Sequence, residues 1–290
     1  MRLSLTTAAL ALFALGASST VSAKARPGHL CATNKPANRT LEAQFAPLIA
    51  AQRQREKQGT QREAPRVIQV YVHVISSGST GKIPLARIQQ QIAVLNSDYY
   101  QANYRFNLGS TTYTDMPAWY GTIRDETTSS GLSMKKALYR GGKASLNLYI
   151  TSLANGLLGY STFPWDYNTY NPSWEDGVVV HGPSLPSTST AFAPYNLGRT
   201  ATHEVGHWLG LYHPFQGESC SSSSLGDYVT DTPLQSTPSF GCPTSKNTCS
   251  AAGADSIHNF MDYSDDACMQ MFTAGQQTRL RALSLKYRGI

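Results

Sequence analysis

Three histidines and a glutamate stand in the stretch HEVGHWLGLYH, residues 203–213, at a spacing that can hold a metal ion and activate water. Residues four apart share one face of a helix, so His203 and His207 can point at a common atom. The same face cannot also present His213 unless the helix ends first. Gly210 supplies that end, because glycine accepts the left-handed conformation that terminates helices. Three imidazoles then converge while a fourth position stays open, which is the arrangement a catalytic zinc needs for its water. Glu204, one residue past the first ligand, projects beside the metal rather than at it. From there it can take a proton from the zinc-bound water, whose pKa the metal lowers, and return it to a leaving amine. A bare H-E-x-x-H also arises by chance on amphipathic helices. The glycine and the third histidine at fixed offsets carry the metal reading beyond that.

Something must hold this helix in place. Val205, Trp208 and Leu209 give it an apolar side for a core. Upstream, VIQVYVHVI (67–75) alternates and is rich in β-branched residues, as a strand is. LARIQQQIAVLNSDYY (85–100) has helical spacing at Ile88, Ile92 and Leu95, with Pro84 at its start. YRFNLG, SLNLYI (145–150) and GVVV (177–180) read as further strands, and SMKKALYR (133–140) as a short helix. His73 and His181 lie in or beside apolar strands and read as satisfied core or edge histidines. TAGQQTRLRALSLKYR closes the chain as a helix, with Thr273 and Gln276 fitting a capping box. These elements predict an α+β (mixed α/β) fold. It has a twisted mixed sheet, a long active-site helix and a smaller, loop-rich, disulfide-stapled C-terminal subdomain.

The 290 residues divide by composition. Residues 1–23 read as a signal peptide: a short apolar run behind Arg2, ending in the small-x-small site Val21-Ser22-Ala23. Residues 24–65 are polar and rich in glutamine and arginine, and read as a prosegment with an exposed basic linker; an ordinary packed N-terminal helix is the alternative. Residues 66–213 make the N-terminal catalytic subdomain and residues 214–290 the C-terminal one. The net charge of +6 sits upstream: residues 1–65 hold nine Lys/Arg against three Asp/Glu, and residues 66–290 hold 15 of each. A neutral body has no stripe for phosphates, which excludes a nucleic-acid partner. No further stretch reaches membrane-spanning length, so the protein is expected to be secreted, extracellular and without a membrane span. Asn38-Arg39-Thr40 is the one sequon with a permitted middle residue, making Asn38 the candidate glycosylation site. Of five cysteines, four lie between 220 and 268 and none forms a C-x-x-C pair. That favours two disulfides over a structural zinc, with three pairings open. Cys31 stands alone in the prosegment.

These residues resemble the metzincin metalloproteases, and within them the pappalysin family, especially its secreted fungal branch. HEVGHWLGLYH, GDYVTDTP (226–233), IHNFMDYSDDACM (257–269) and FTAGQ (272–276) carry the resemblance. It runs from about residue 67 to the C-terminus and more weakly into the prosegment. It implies a metzincin-like zincin fold, with Met261 as the Met-turn methionine flooring the zinc site. Tyr263 is implied as a tyrosine that approaches the zinc and steadies the oxyanion. It also implies the pairing Cys220–Cys249 and Cys242–Cys268. GLLGYSTFP (156–164) resembles the cleft-rim strand that pairs antiparallel with an extended substrate. Relatives can bind calcium, and Asp227, Asp231, Asp262, Asp265 and Asp266 admit that reading beside solvated or capping roles. The sequence departs from the family at Pro214, where relatives often carry threonine. It departs again at Ala32, where the prosegment cysteine motif has glycine.

The expectation is a secreted zinc endopeptidase made as a zymogen and acting, as a monomer, on proteins or peptides. Cys31 is the expected zinc ligand of the latent form. The competing functions are a non-catalytic binding protein that keeps the fold, and a zinc hydrolase of a non-peptide amide or ester.

Overall fold

The computed structural model describes residues 30–33, 35–59, 64–168, 173–221, 225–250 and 253–290. The expected signal peptide (1–23), His29 and linker residues 60–63 lie outside the described residues. The β-branched run becomes β1 (Arg66–Ser76), whose last five residues are all buried. Burial on both faces is the mark of a central parallel strand. It pairs in parallel with β2 (Tyr104–Asp115) on one side and β3 (Ser145–Thr151) on the other. Beyond β3 lie β5 (Val178–His181), also parallel, and then β4 (Gly159–Ser161), antiparallel, so the order is β2-β1-β3-β5-β4. The sheet is therefore mixed, with one antiparallel edge. β2 runs well past YRFNLG because its second half, STTYTD, is an edge with little to bury. A polar edge carries no hydrophobic signal, so only the apolar start was legible.

Two cores flank the sheet. On one face Ile68, Val70, Val72 and Val74 meet Ile88, Ile92 and Leu95 of α2 (Leu85–Asp98). They also meet Val205, Trp208 and Leu209 of α4 (Arg199–Leu209). On the other, Ile75, Tyr149 and Val179 meet Met134 of α3 (Ser129–Leu138). His73 is buried between Thr112 and Asn147, and His181 accepts from Leu153 N–H. α5 (Ala274–Arg288) carries the Thr273/Gln276 capping box and lies against α4. Its Arg288 reaches under α4 to bond Trp208 O and both oxygens of buried Asp176.

The described residues between 214 and 273 form turns and irregular chain, with no helix or named strand. Cys220 is joined to Cys249 and Cys242 to Cys268, the pairing the resemblance implies. The bridges close loops of 29 and 26 residues, each stabilising by about 3.5 kcal/mol on the chain-entropy estimate. The described part of the expected prosegment packs on the body. α1 (Arg39–Gln58) is capped by the exposed Asn38 side chain and packs on α5. No helix among the described residues is long and apolar enough to cross a membrane.

Candidate active site

α4 carries His203, Glu204 and His207 on one helix of 11 residues, held by its buried apolar side. Gly210 ends it at φ 112°, a conformation that favours glycine, and its N–H returns to Gly206 and His207 carbonyls. The chain reverses and brings His213 back. The three Nε2 atoms form a near-equilateral triangle with sides of 3.1, 3.2 and 3.1 Å. Nitrogens bound at about 2.0–2.1 Å to one tetrahedral ion would lie about 3.3 Å apart.

The tautomers are fixed by what lies behind the rings. His203 Nδ1 faces Phe260 O at 2.8 Å and His207 Nδ1 faces Leu211 O at 2.7 Å. A carbonyl can only accept, so each Nδ1 carries the proton and each Nε2 offers a lone pair. Burial pushes the His203 pKa down to about 4. Burial, then the neighbouring imidazoles, push His207 and His213 well below the usual value. Neutral, buried nitrogens aimed at one another repel unless a cation lies between them, so the donor set fits zinc.

Met261 floors this arrangement. A Cβ on Gly206 would sit 2.3 Å from Met261 Sδ, so that helix position must be glycine for the methionine to lie beneath. Asn259 accepts from Met261 N–H, and Asp262 accepts from Ser239 and Tyr263 N–H, which fixes the turn. Tyr263 then places its hydroxyl 3.3 Å from His213 Nε2.

β4 forms the rim. Its free edge carries residues 30–33, running parallel to it, whereas an extended substrate was expected there in antiparallel pairing. Leu158 N–H donates to Leu30 O and Ala32 N–H to Gly159 O, both at 3.0 Å. The backbone ladder stops there, and the Thr33 hydroxyl takes over, accepting from Ser161 N–H at 2.7 Å. Cys31 and Thr33, two apart on an extended chain, project to the same side. That side faces the histidines: Cys31 Sγ and the three imidazoles offer ligand atoms within 4.8 Å of one another.

Both side chains also hold the glutamate. Cys31 Sγ lies 3.4 Å and Thr33 Oγ1 3.2 Å from Glu204 Oε2, while Glu204 Oε1 is buried with no partner among the described residues. Burial raises the Glu204 pKa to about 8, and burial followed by the Glu204 charge raises the Cys31 thiol well above its usual value. A dication among the nitrogens acts oppositely on both, favouring thiolate and carboxylate. Gly159 lets the glutamate in, since a Cβ there would lie 2.7 Å from Glu204 Cγ.

The structure thus gathers His203, His207, His213, Glu204, Met261, Tyr263 and Cys31. It does not gather the five aspartates. Asp262 and Asp266 accept from protein donors inside the fold, and Asp231 caps α5 through Thr273 and Gly275. Asp227 accepts from Val229 N–H. Among the described residues no acidic cluster has metal-binding spacing. Thr33 was missed by sequence reasoning, although its position two residues beyond Cys31 was a usable signal.

Comparison with known proteins gives a consistent result. Residues 135–284 match the peptidase M43 family model, described as pregnancy-associated plasma protein-A. Extracellular metalloprotease 1 of Coccidioides posadasii is 43 % identical over 230 residues, covering 78 % of this chain and 79 % of that protein. An extracellular metalloprotease of Verticillium alfalfae is 39 % identical over 277 residues, covering 93 % and 95 %. Among solved structures, mature mirolysin of Tannerella forsythia with a cleaved peptide aligns at TM-score 0.63. It is 34 % identical and covers 76 % of this chain and 92 % of its own. A mutant promirolysin from the same organism aligns at TM-score 0.67 and 30 % identity, covering 90 % of this chain and 95 % of its own.

Proposed function

This chain belongs to the pregnancy-associated plasma protein-A family of metallopeptidases and is a zinc metalloprotease. From that premise we propose that it is a secreted endopeptidase, made latent by residues 24–65, in which Glu204 activates the attacking water. The convergence of three Nε2 lone pairs beside the unpartnered Glu204 Oε1 carries this reading. Zinc held there supplies a Lewis acid that acidifies water and polarises a carbonyl. Glu204 takes the proton of the attacking water and delivers it to the departing amine. The Tyr263 hydroxyl, beside His213, donates to the oxyanion of the tetrahedral carbon. β4 offers Gly159 O and the Ser161 N–H to a substrate backbone once residues 30–33 leave.

Latency follows from what those residues occupy. The Cys31 thiol would be the fourth zinc ligand of the latent form, its Sγ and the three imidazoles offering ligand atoms within 4.8 Å of one another, and Thr33 with Cys31 fastens the base. Promirolysin supports a prosegment: it covers more of this chain than mature mirolysin does, by about the length of residues 24–65. The names of the fungal relatives support secretion. Mirolysin's cleaved peptide supports peptides as substrates.

The test is casein digestion by protein freed of residues 24–65, with and without a chelator, alongside Glu204→Ala. The variant should keep its zinc by metal analysis and lose at least a thousandfold in turnover. Near-normal digestion by Glu204→Ala would remove this glutamate from the mechanism. Full zinc with no digestion by the unaltered protein would instead favour a binding role or a non-peptide substrate.

A further inference from the structure

α1 touches the body of the protein far from the histidines in sequence. Glu42 and Arg279 form a two-pronged ion pair, each bond 2.7 Å long, with both side chains buried. One helical turn on, Phe45 is fully buried against Trp165 and Tyr287, with ring centroids 5.1 and 5.8 Å away. Further along, Glu56 accepts from Thr278 and Arg281, both at 2.7 Å. Positions 42, 45 and 56 return to one side of a helix, so α1 presents two carboxylates and a ring as a single stripe.

Arg279 stays aimed when α1 is gone. Its Nε donates to Gly210 O at 2.9 Å and its guanidinium lies 5.2 Å from the Tyr212 ring centre. Both partners belong to the body, not to α1. Loss of α1 would leave a guanidinium fixed in direction but without its carboxylate, beside an uncovered aromatic slot. Such a charge is preorganised for a bidentate carboxylate, and little ordering remains to oppose binding.

We propose that this face is a binding surface of the processed protein for an amphipathic helix bearing a carboxylate and, three residues later, a phenylalanine. Its occupant is the α1 segment cut from its own chain. The proposal rests on reading residues 24–65 as a removable prosegment. A cut in the linker turns α1 from a tethered element into a ligand, held by the Arg279 pair, the Phe45 slot and Glu56. While it stays, it keeps residues 30–33 at high local concentration over the site. Cleavage and activation are then separate events, the second being release of α1 from Arg279.

The experiment uses full-length protein carrying Glu204→Ala, to prevent self-digestion, and a foreign protease site at residues 60–63. After cutting, native mass spectrometry should find the fragment still on the body, and Glu42→Gln in the same chain should release it. The cut body is then freed of fragment in high salt and titrated with a fluorescein-labelled peptide of residues 39–59. This peptide lacks Cys31 and Thr33, so it reads the face alone. Saturable binding is expected, weakened at least tenfold by Glu42→Gln and by Phe45→Ala, and unchanged by Gln54→Ala on the opposite, exposed side. These peptide variants leave the folding of the body untouched. No saturable binding, or equal binding by the Glu42→Gln peptide, overturns the proposal. Neither readout needs turnover. Casein digestion by protein with Glu204 intact reports separately on the peptidase reading, so the failure of one is distinguishable from the failure of the other.

Discussion

At the scale of single residues, the site depends on which atom each side chain is left free to offer. Phe260 and Leu211 carbonyls occupy the Nδ1 protons, so His203 and His207 can present only Nε2 inward. In the proposed latent form Cys31 and Thr33 divide the work of blocking. Cys31 can fill a ligand position, whereas Thr33 replaces the next backbone bond of the rim and reaches Glu204 Oε2. Thr33→Val keeps the shape and removes the hydroxyl, leaving Ser161 N–H without its 2.7 Å acceptor. A buried donor left unsatisfied costs about 1–3 kcal/mol, which corresponds to about five- to 150-fold more open precursor. The uncut Thr33→Val precursor should therefore show measurable peptide hydrolysis, rising further in the Thr33→Val/Cys31→Ser double variant. Hydrolysis should remain below that of cut protein. If Cys31→Ser and Thr33→Val precursors are both as silent as the unaltered one, the strand is not held by these side chains.

At the scale of elements, the zinc helix was legible because everything that defines it is local. The apolar positions, Gly210 and His213 lie within eleven residues, and the fold sets them where the spacing requires. The cap of α5 was legible for the same reason. The Glu42–Arg279 pair was not, because its partners are 237 positions apart and neither has a local signature. Met261 is intermediate. Its type suits any core, and only the resemblance marks it out, while the structure supplies the cause in its approach to Gly206. Gly206→Ala tests that cause. Helix propensity favours alanine by about 1 kcal/mol. Against it, the new Cβ would meet Met261 Sδ at 2.3 Å in a residue with no exposure. Overpacking of this kind costs about 1–3 kcal/mol, so the clash should prevail and lower Tm by up to several degrees. Gly142, where an added methyl would meet nothing within 4 Å, is the control, and Gly142→Ala should leave Tm unchanged. Equal Tm values for the two variants would mean that Met261 yields without cost.

At the scale of the whole molecule, folding gathers the histidines and several carboxyls into one interior, and their protonation pulls stability in opposite directions. Burial holds His203 down at about 4, and burial with the neighbouring imidazoles holds His207 and His213 well below their usual value. For bases depressed in this way, the stability they contribute is present above about pH 6.5, the unfolded value, and is lost as pH falls through the folded values. Burial holds Asp227 and Asp266 up at about 7. For raised acids the contribution is complete below about pH 4 and is lost as pH rises through 7. Zinc competes with protons for the same Nε2 atoms and binds the folded chain, so it adds stability that acid removes. Three expectations for scanning calorimetry follow from these signs. Chelation at pH 7.5 should lower Tm, because three converging lone pairs lose the cation between them. The chelated protein should gain Tm from pH 8 towards pH 6, as Glu204, held up at about 8, and the two aspartates take protons, and lose it again towards pH 4, as the histidines do. The zinc-loaded protein should release its metal along that second limb, measured by metal analysis of the same samples. A chelated protein whose Tm climbs steadily to pH 8 would show that Glu204 and the two aspartates are already ionised in the fold, so that the histidines dominate its dependence on pH.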